Sequence, residues 1–126
     1  MTVTAHSYIF VDLKHRLIEA RLSCSYTKEG EWHFAECPEL RLVAQGKSKW
    51  QALENLVDMI AASLIEAIES DKIDEMLREL GFRRTELVPL RKVFRRSIEP
   101  DDKDVPLSLE VPLGASELSP MTACVG

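Results

Sequence analysis

Residues Glu31 to Leu56 read EWHFAECPELRLVAQGKSKWQALENL, and this stretch decides the fold. Trp32 to Cys37 is a β run that Pro38 ends, because proline fixes its own φ and pushes Cys37 toward extended geometry. The chain can then corner into a further strand from Leu40 to Gln45 before Gly46 releases it. Ser48 stands three residues ahead of Gln51, a capping-box spacing that satisfies otherwise orphaned amides and marks a helix start. Trp50, Leu53, Val57, Ile60, Leu64 and Ala67 then recur every three or four residues. They predict one apolar stripe against the sheet, with Glu54, Asp58 and Glu66 largely off it.

Upstream, Ile18, Ala20, Leu22, Cys24 and Tyr26 alternate with Glu19, Arg21, Ser23 and Ser25, the period of a strand with one buried face. Lys28-Glu29-Gly30 supplies a turn into Trp32, so the two runs form a hairpin. The apolar run Tyr8-Ile9-Phe10-Val11 is too short for a signal-peptide core or a membrane span, and Asp12 closes it.

Downstream, Asp71 is expected to cap a short helix carrying Ile73, Met76, Leu77 and Leu80, which Gly81 ends in a left-handed turn with Phe82 folded back on Leu77. Glu86 to Phe94 reads as a fourth strand interrupted by Pro89, which places it at an edge because proline cannot donate to a ladder. Arg91, Lys92, Arg95 and Arg96 precede Glu99, Asp101, Asp102 and Asp104, a solvated linker with internal charge balance. Val105, Leu107, Leu109, Val111 and Leu113 alternate with Pro106, Ser108, Glu110, Pro112 and Gly114, as in an edge strand or a segment laid on another surface. Ser116 to Gly126 reads as frayed. The expectation is an α+β fold: an antiparallel three- to four-stranded sheet packed against one long helix, with a short second helix and an extended C-terminal tail. Residues 1–96 form the domain and 97–126 the charged linker and tail.

At 126 residues, 45% hydrophobic, the chain suits one domain plus extensions. A net charge of -5 argues against nucleic-acid binding through the surface as a whole and favours a basic partner. Cys24, Cys37 and Cys124 form neither a C-x-x-C pair nor an even set, which points to a reducing, cytoplasmic compartment. The carboxylates Asp12, Glu19, Glu36 and Asp58 show no spacing that converges on metal ions, and His6, His15 and His33 are too scattered for a zinc site. On a strand His33 and Cys37 lie roughly 13 Å apart, too far for proton transfer. Cys37 therefore reads as a buried, inert thiol, and the expectation is a protein with no enzymatic activity, no cofactor and no membrane association.

The ordered set Ala35-Glu36-Cys37-Pro38-Glu39-Leu40, Ala44-Gln45-Gly46 and Ala52-Leu53-Glu54-Asn55-Leu56 resembles the HicB family of bacterial antitoxins. The resemblance implies a partial RNase H-like domain in a type II toxin-antitoxin system. Its partner would be HicA, a small basic toxin that cleaves messenger RNA, held by covering the toxin's RNA-binding and catalytic surface. Two departures limit it: Arg41-Leu42 stands where family members commonly have Pro-Gly, and no helix-turn-helix or ribbon-helix-helix module follows Gly81. Operator binding is therefore not carried over. Candidate partner-binding residues are Glu36, Glu39, Glu99, Asp101, Asp102 and Asp104, with Val105, Leu107, Leu109 and Val111 as an added strand. Trp32 and Phe34 point away from Ala35 and Cys37, so the sheet has apolar residues on both faces; this predicts a homodimer or higher homo-oligomer. The rivals are an orphan homo-oligomeric binding module and a nucleic-acid binder using Arg91 to Arg96.

Overall fold

The computed structural model describes residues 5–86, 90–98, 104–113 and 121–124. The chain runs β1 (Ala5–Asp12), β2 (Leu17–Glu29), β3 (Trp32–Cys37), a 3-10 turn (Pro38–Leu40), β4 (Leu42–Gly46), α1 (Lys49–Glu69), α2 (Ile73–Glu79), β5 (Arg83–Glu86), β6 (Arg91–Ile98), β7 (Val105–Pro112) and β8 (Met121–Cys124). The fold is α+β, but among the described residues the sheet has eight strands rather than three or four. Its order is β4-β3-β2-β1-β6-β5, with β7 added to β2 and β8 to β7, and every pairing is antiparallel.

The long strand β2 is the hub. It pairs with β1 through residues 17–21, with β7 through 17–24 and with β3 through 25–29. Its period-2 alternation puts Ile18, Ala20, Leu22 and Cys24 inside. By register the same face carries Ile9 and Val11 of β1, Phe94 of β6 and Leu107, Leu109 and Val111 of β7, all buried. α1 lies on the same side against β3 and β4 and buries Ala52, Leu53, Leu56, Val57, Ile60, Ala61, Leu64 and Ala67. Each large aliphatic side chain so placed contributes about 2 kcal/mol of transfer free energy.

Local signals fix the ends of these elements. Ser48 Oγ accepts from the Gln51 N–H at 3.0 Å, while Gln51 Oε1 accepts from the Lys47 N–H at 2.6 Å, one residue earlier than a reciprocal capping box requires. Gly46 is needed for close approach: a Cβ there would lie 2.6 Å from the Ala52 nitrogen and 2.9 Å from the Gln51 carbonyl carbon. The second helix ends as expected. Gly81, at φ +91°, donates to Arg78 and Phe82 donates to Leu77, with both Phe82 and Leu77 buried.

Several expectations are corrected. Trp50 is 64% exposed: it shares the face of Val57 and Ala61 but stands in the first turn of α1, ahead of Ala52 and Leu53, where burial begins. Asp71 does not cap α2. It takes a left-handed φ of 58° and closes α1, donating to Ile68, while Lys72 occupies the cap position of α2. Residues 86 to 94 are not one edge strand: β5 and β6 form a hairpin, and β6 lies between β5 and β1. Pro89 itself lies outside the described residues. The boundary expected at 96/97 falls inside β6, and the tail segment Val105 to Pro112 is an integral strand against β2 rather than an extension. Within the stretch expected to fray, Met121–Cys124 forms β8. Among the described residues no helix is long and apolar enough to cross a membrane.

Candidate functional site

Three of the candidate residues come together on one exposed face. Alternation along β3 sends Ala35 and Cys37 into the core and Trp32, Phe34 and Glu36 outward. The cross-strand register then builds rows on that outer face: Ser25 beside Glu36 and Val43, Thr27 beside Phe34 and Gln45, and Glu29 beside Trp32. Gly30, at φ +62°, turns the chain at the open end of these rows. The result is a shallow pocket of about 230 Å³ lined by Ser25, Thr27, Glu29, Phe34, Glu36 and Val43. Phe34 and Val43 give its lining an apolar part, beside the hydroxyls of Ser25 and Thr27 and the carboxylates of Glu29 and Glu36. Trp32 next to it is 42% exposed and Val43 is 48% exposed, so a large apolar area meets solvent on this side of the sheet. The helices do not cover it, since α1 packs on the opposite, Ala35 and Ala44, side.

Glu39 is a different kind of residue from Glu36. Pro38 opens the 3-10 turn and Arg41, at φ 55°, closes it, which carries the Glu39 side chain inward until the residue is 1% exposed. Its carboxylate accepts from Ser7 Oγ at 2.5 Å, from Ser23 Oγ at 2.6 Å and from the Ser23 backbone N–H at 2.7 Å. Ser23 lies between the part of β2 that pairs with β1 and the part that pairs with β3, so Glu39 stands in for a strand partner in that gap. Arg96 Nη1 donates to the Glu39 carbonyl at 3.3 Å and ties β6 to the same corner. Glu39 is therefore excluded as a surface residue for a partner. No sequence pattern announces this role, although Ser23 breaks the charged side of β2 with a small hydroxyl residue and Glu39 directly follows a proline corner.

Cys37 is fully buried beside this group, with Sγ 4.0 Å from Glu39 Oε1. Burial, followed by the nearby Glu39 charge, pushes its thiol up to about 12. Such a thiol is neither a nucleophile nor a metal ligand at neutral pH.

Leu107, Leu109 and Val111 are likewise committed within the chain, at most 3% exposed and opposite Leu22, Ala20 and Ile18. Val105 and Asp104 are half-buried at the start of the same strand. The added strand expected for a partner is thus already paired in cis. Glu99, Asp101 and Asp102 lie outside the described residues.

The basic cluster is divided by strand alternation. Lys92 faces inward, where its Nζ meets Asp74 at 3.1 Å, and Asp74 also holds Arg84 at 3.0 Å. Arg96 faces the Glu39 corner, while Arg91 and Arg95 are exposed. In the turn after β1, Asp12 accepts from the backbone of Lys14 and His15 and lies 2.7 Å from His15 Nδ1. The His15 backbone bond is the main cause that lowers its carboxyl below the usual value. Among the described residues no group of three or more His, Cys, Asp or Glu side chains is placed to hold a metal ion.

No protein-family model, curated protein or solved structure gives a significant match to this chain.

Proposed function

We propose that the chain is a HicB-like antitoxin, neutralising a small basic HicA-like mRNA-cleaving toxin by protein-protein binding in the cytoplasm of a bacterium. The observation that supports this reading most is the pocket around Phe34, where Phe34 and Val43 line the same hollow as Glu29 and Glu36, a combination that suits a partner presenting Lys or Arg beside apolar side chains. A net charge of -5 favours encounter with a cationic partner. Within the motif that resembles HicB, Ala35, Cys37, Leu40, Ala52, Leu53 and Leu56 are buried and Gly46 seats the helix. The motif thus supplies scaffold, and the recognition falls to the outward residues Trp32, Phe34 and Glu36. The acidic run Glu99, Asp101, Asp102 and Asp104 is assigned an auxiliary contact. If charge reversal of Asp101, Asp102 and Asp104 left co-purification of the toxin unchanged, that contact would be abandoned.

The test is co-expression with the product of a gene that encodes a small basic HicA-like toxin. Growth arrest by that product alone, relieved by the wild-type chain but not by a Trp32→Ala, Glu36→Arg variant, is the expected result. Relief by the variant equal to wild type would remove this face from the mechanism. A second reading is an orphan module in which two copies meet through the same face. It is favoured by the exposure of Trp32 and Val43 and predicts a dimer by sedimentation that Trp32→Asp dissociates.

A further inference from the structure

We infer that a second part of the sheet, reached four residues before the Phe34 pocket along β2, binds single-stranded nucleic acid. The net negative charge argues against phosphate binding by the surface as a whole, but the strand register gathers positive charge locally. Arg83 of β5 lies opposite Arg95 of β6, Arg95 opposite Tyr8 of β1, and Tyr8 opposite Arg21 of β2. Cross-strand partners project from the same face, so these four residues form one row spanning roughly 14 Å at the ordinary interstrand spacing. All three arginines are exposed, and none has a carboxylate partner among the described residues. Like charges placed directly opposite one another, as Arg83 and Arg95 are, repel unless an anion sits between them.

The aromatic residues decide what kind of anion fits. Tyr8 is half-buried within the row, between Arg95 and Arg21. Phe10 follows two residues later on the same strand and face, with the Arg91 guanidinium carbon 5.8 Å from its ring centroid. A ring lying between two guanidinium groups on an open sheet, as Tyr8 does, offers stacking for an unpaired base and charge for the backbone on either side of it. A base can stack on an exposed ring only when it is free of its duplex neighbours, which selects single strands. Phe10 stands opposite Glu19, and Glu19 opposite Glu110, so these carboxylates bound the track on the Phe10 side. This surface uses none of the residues of the Phe34 pocket, so the two assignments stand or fall separately.

The test is fluorescence anisotropy with the full chain and labelled twelve-residue oligouridine RNA and oligothymidine DNA. Binding of either oligonucleotide at low salt is expected, weakening roughly 20-fold between 50 and 200 mM salt if three phosphates are contacted. Replacing Arg21→Gln and Arg95→Gln together should weaken binding at least tenfold and reduce the salt slope to about a third of its value, since one of three contacts remains. The control Lys47→Gln with Lys72→Gln should leave both unchanged. Tyr8→Phe should retain affinity and Tyr8→Ala should lose it several-fold, with urea midpoints confirming that each variant is folded. Absence of binding at 50 mM salt, or equal binding by the double arginine variant, would overturn the assignment. So would equal affinity for inorganic polyphosphate together with indifference to Tyr8→Ala, because the site would then read charge alone. A dimer that the arginine substitutions dissolve, without oligonucleotide binding, would give the face to self-association instead.

Discussion

Ser23 donates both its backbone N–H and its hydroxyl to the Glu39 carboxylate, at 2.7 and 2.6 Å, in the gap where β2 changes partners from β1 to β3. With Ser7 as a third donor, this buried carboxylate holds the two halves of the sheet together. Glu39→Ala leaves those donors without an acceptor and should cost about 3 kcal/mol in urea unfolding. Glu39→Gln keeps one acceptor oxygen and should cost less. A loss under about 0.5 kcal/mol for the alanine variant, the range of a surface substitution, would mean that the carboxylate is not buried there.

The approach of α1 to β4 rests on Gly46. Gly46→Ala drives a methyl group to 2.6 Å from the Ala52 nitrogen, against backbone that cannot rotate away, and should cost about 2 to 3 kcal/mol. Gly30→Ala meets open space and carries only the penalty of its left-handed φ, about 1 kcal/mol. Paired denaturation curves check the order, and a reversed order would contradict the packing.

Along α1, Trp50 and Leu56 occupy opposite environments, 64% exposed and fully buried. Trp50→Ala should change stability by no more than about 0.5 kcal/mol. Leu56→Ala should lower it by about 3 kcal/mol. Thermal melts of the two variants measure the contrast.

Cys37 should resist alkylation in the native protein at pH 8 and react fully in denaturant, as read by peptide mapping. Because its folded thiol is raised from 9.0 to about 12, its contribution to stability is complete below pH 9 and declines as pH rises from there toward 12. Cys37→Ser should flatten that alkaline slope. Rapid native labelling of Cys37 would contradict its enclosure.

How far the sequence exposed this fold depended on whether each strand had one polar face. In β2, Ile18, Ala20, Leu22 and Cys24 alternate with polar residues, and the strand was legible. In β1, Ile9 and Val11 are buried while Tyr8 and Phe10 are half-buried on the other face, so the apolar run shows no period of two. β6 was obscured by charge on both faces, since Lys92 and Arg96 turn inward to Asp74 and to the Glu39 carbonyl. Pro106 and Pro112 made β7 read as an edge strand or a segment on another surface, yet they sit near the two ends of its ladder and leave Leu107 to Val111 to pair with β2. The site was partly legible for the same reason: alternation alone put Trp32, Phe34 and Glu36 on one face. It gave no warning that Glu39, three residues after Glu36, turns inward past Pro38.

The most direct measurement of the central proposal is a calorimetric titration of the purified chain, wild type and Glu36→Arg, into a purified small basic HicA-like toxin. The expected result is tight binding by the wild type and at least tenfold weaker binding by Glu36→Arg, with unfolding midpoints unchanged. Equal affinity for the two proteins, or no heat of binding with the wild type, would contradict the assignment of the Phe34 and Glu36 face to toxin neutralisation.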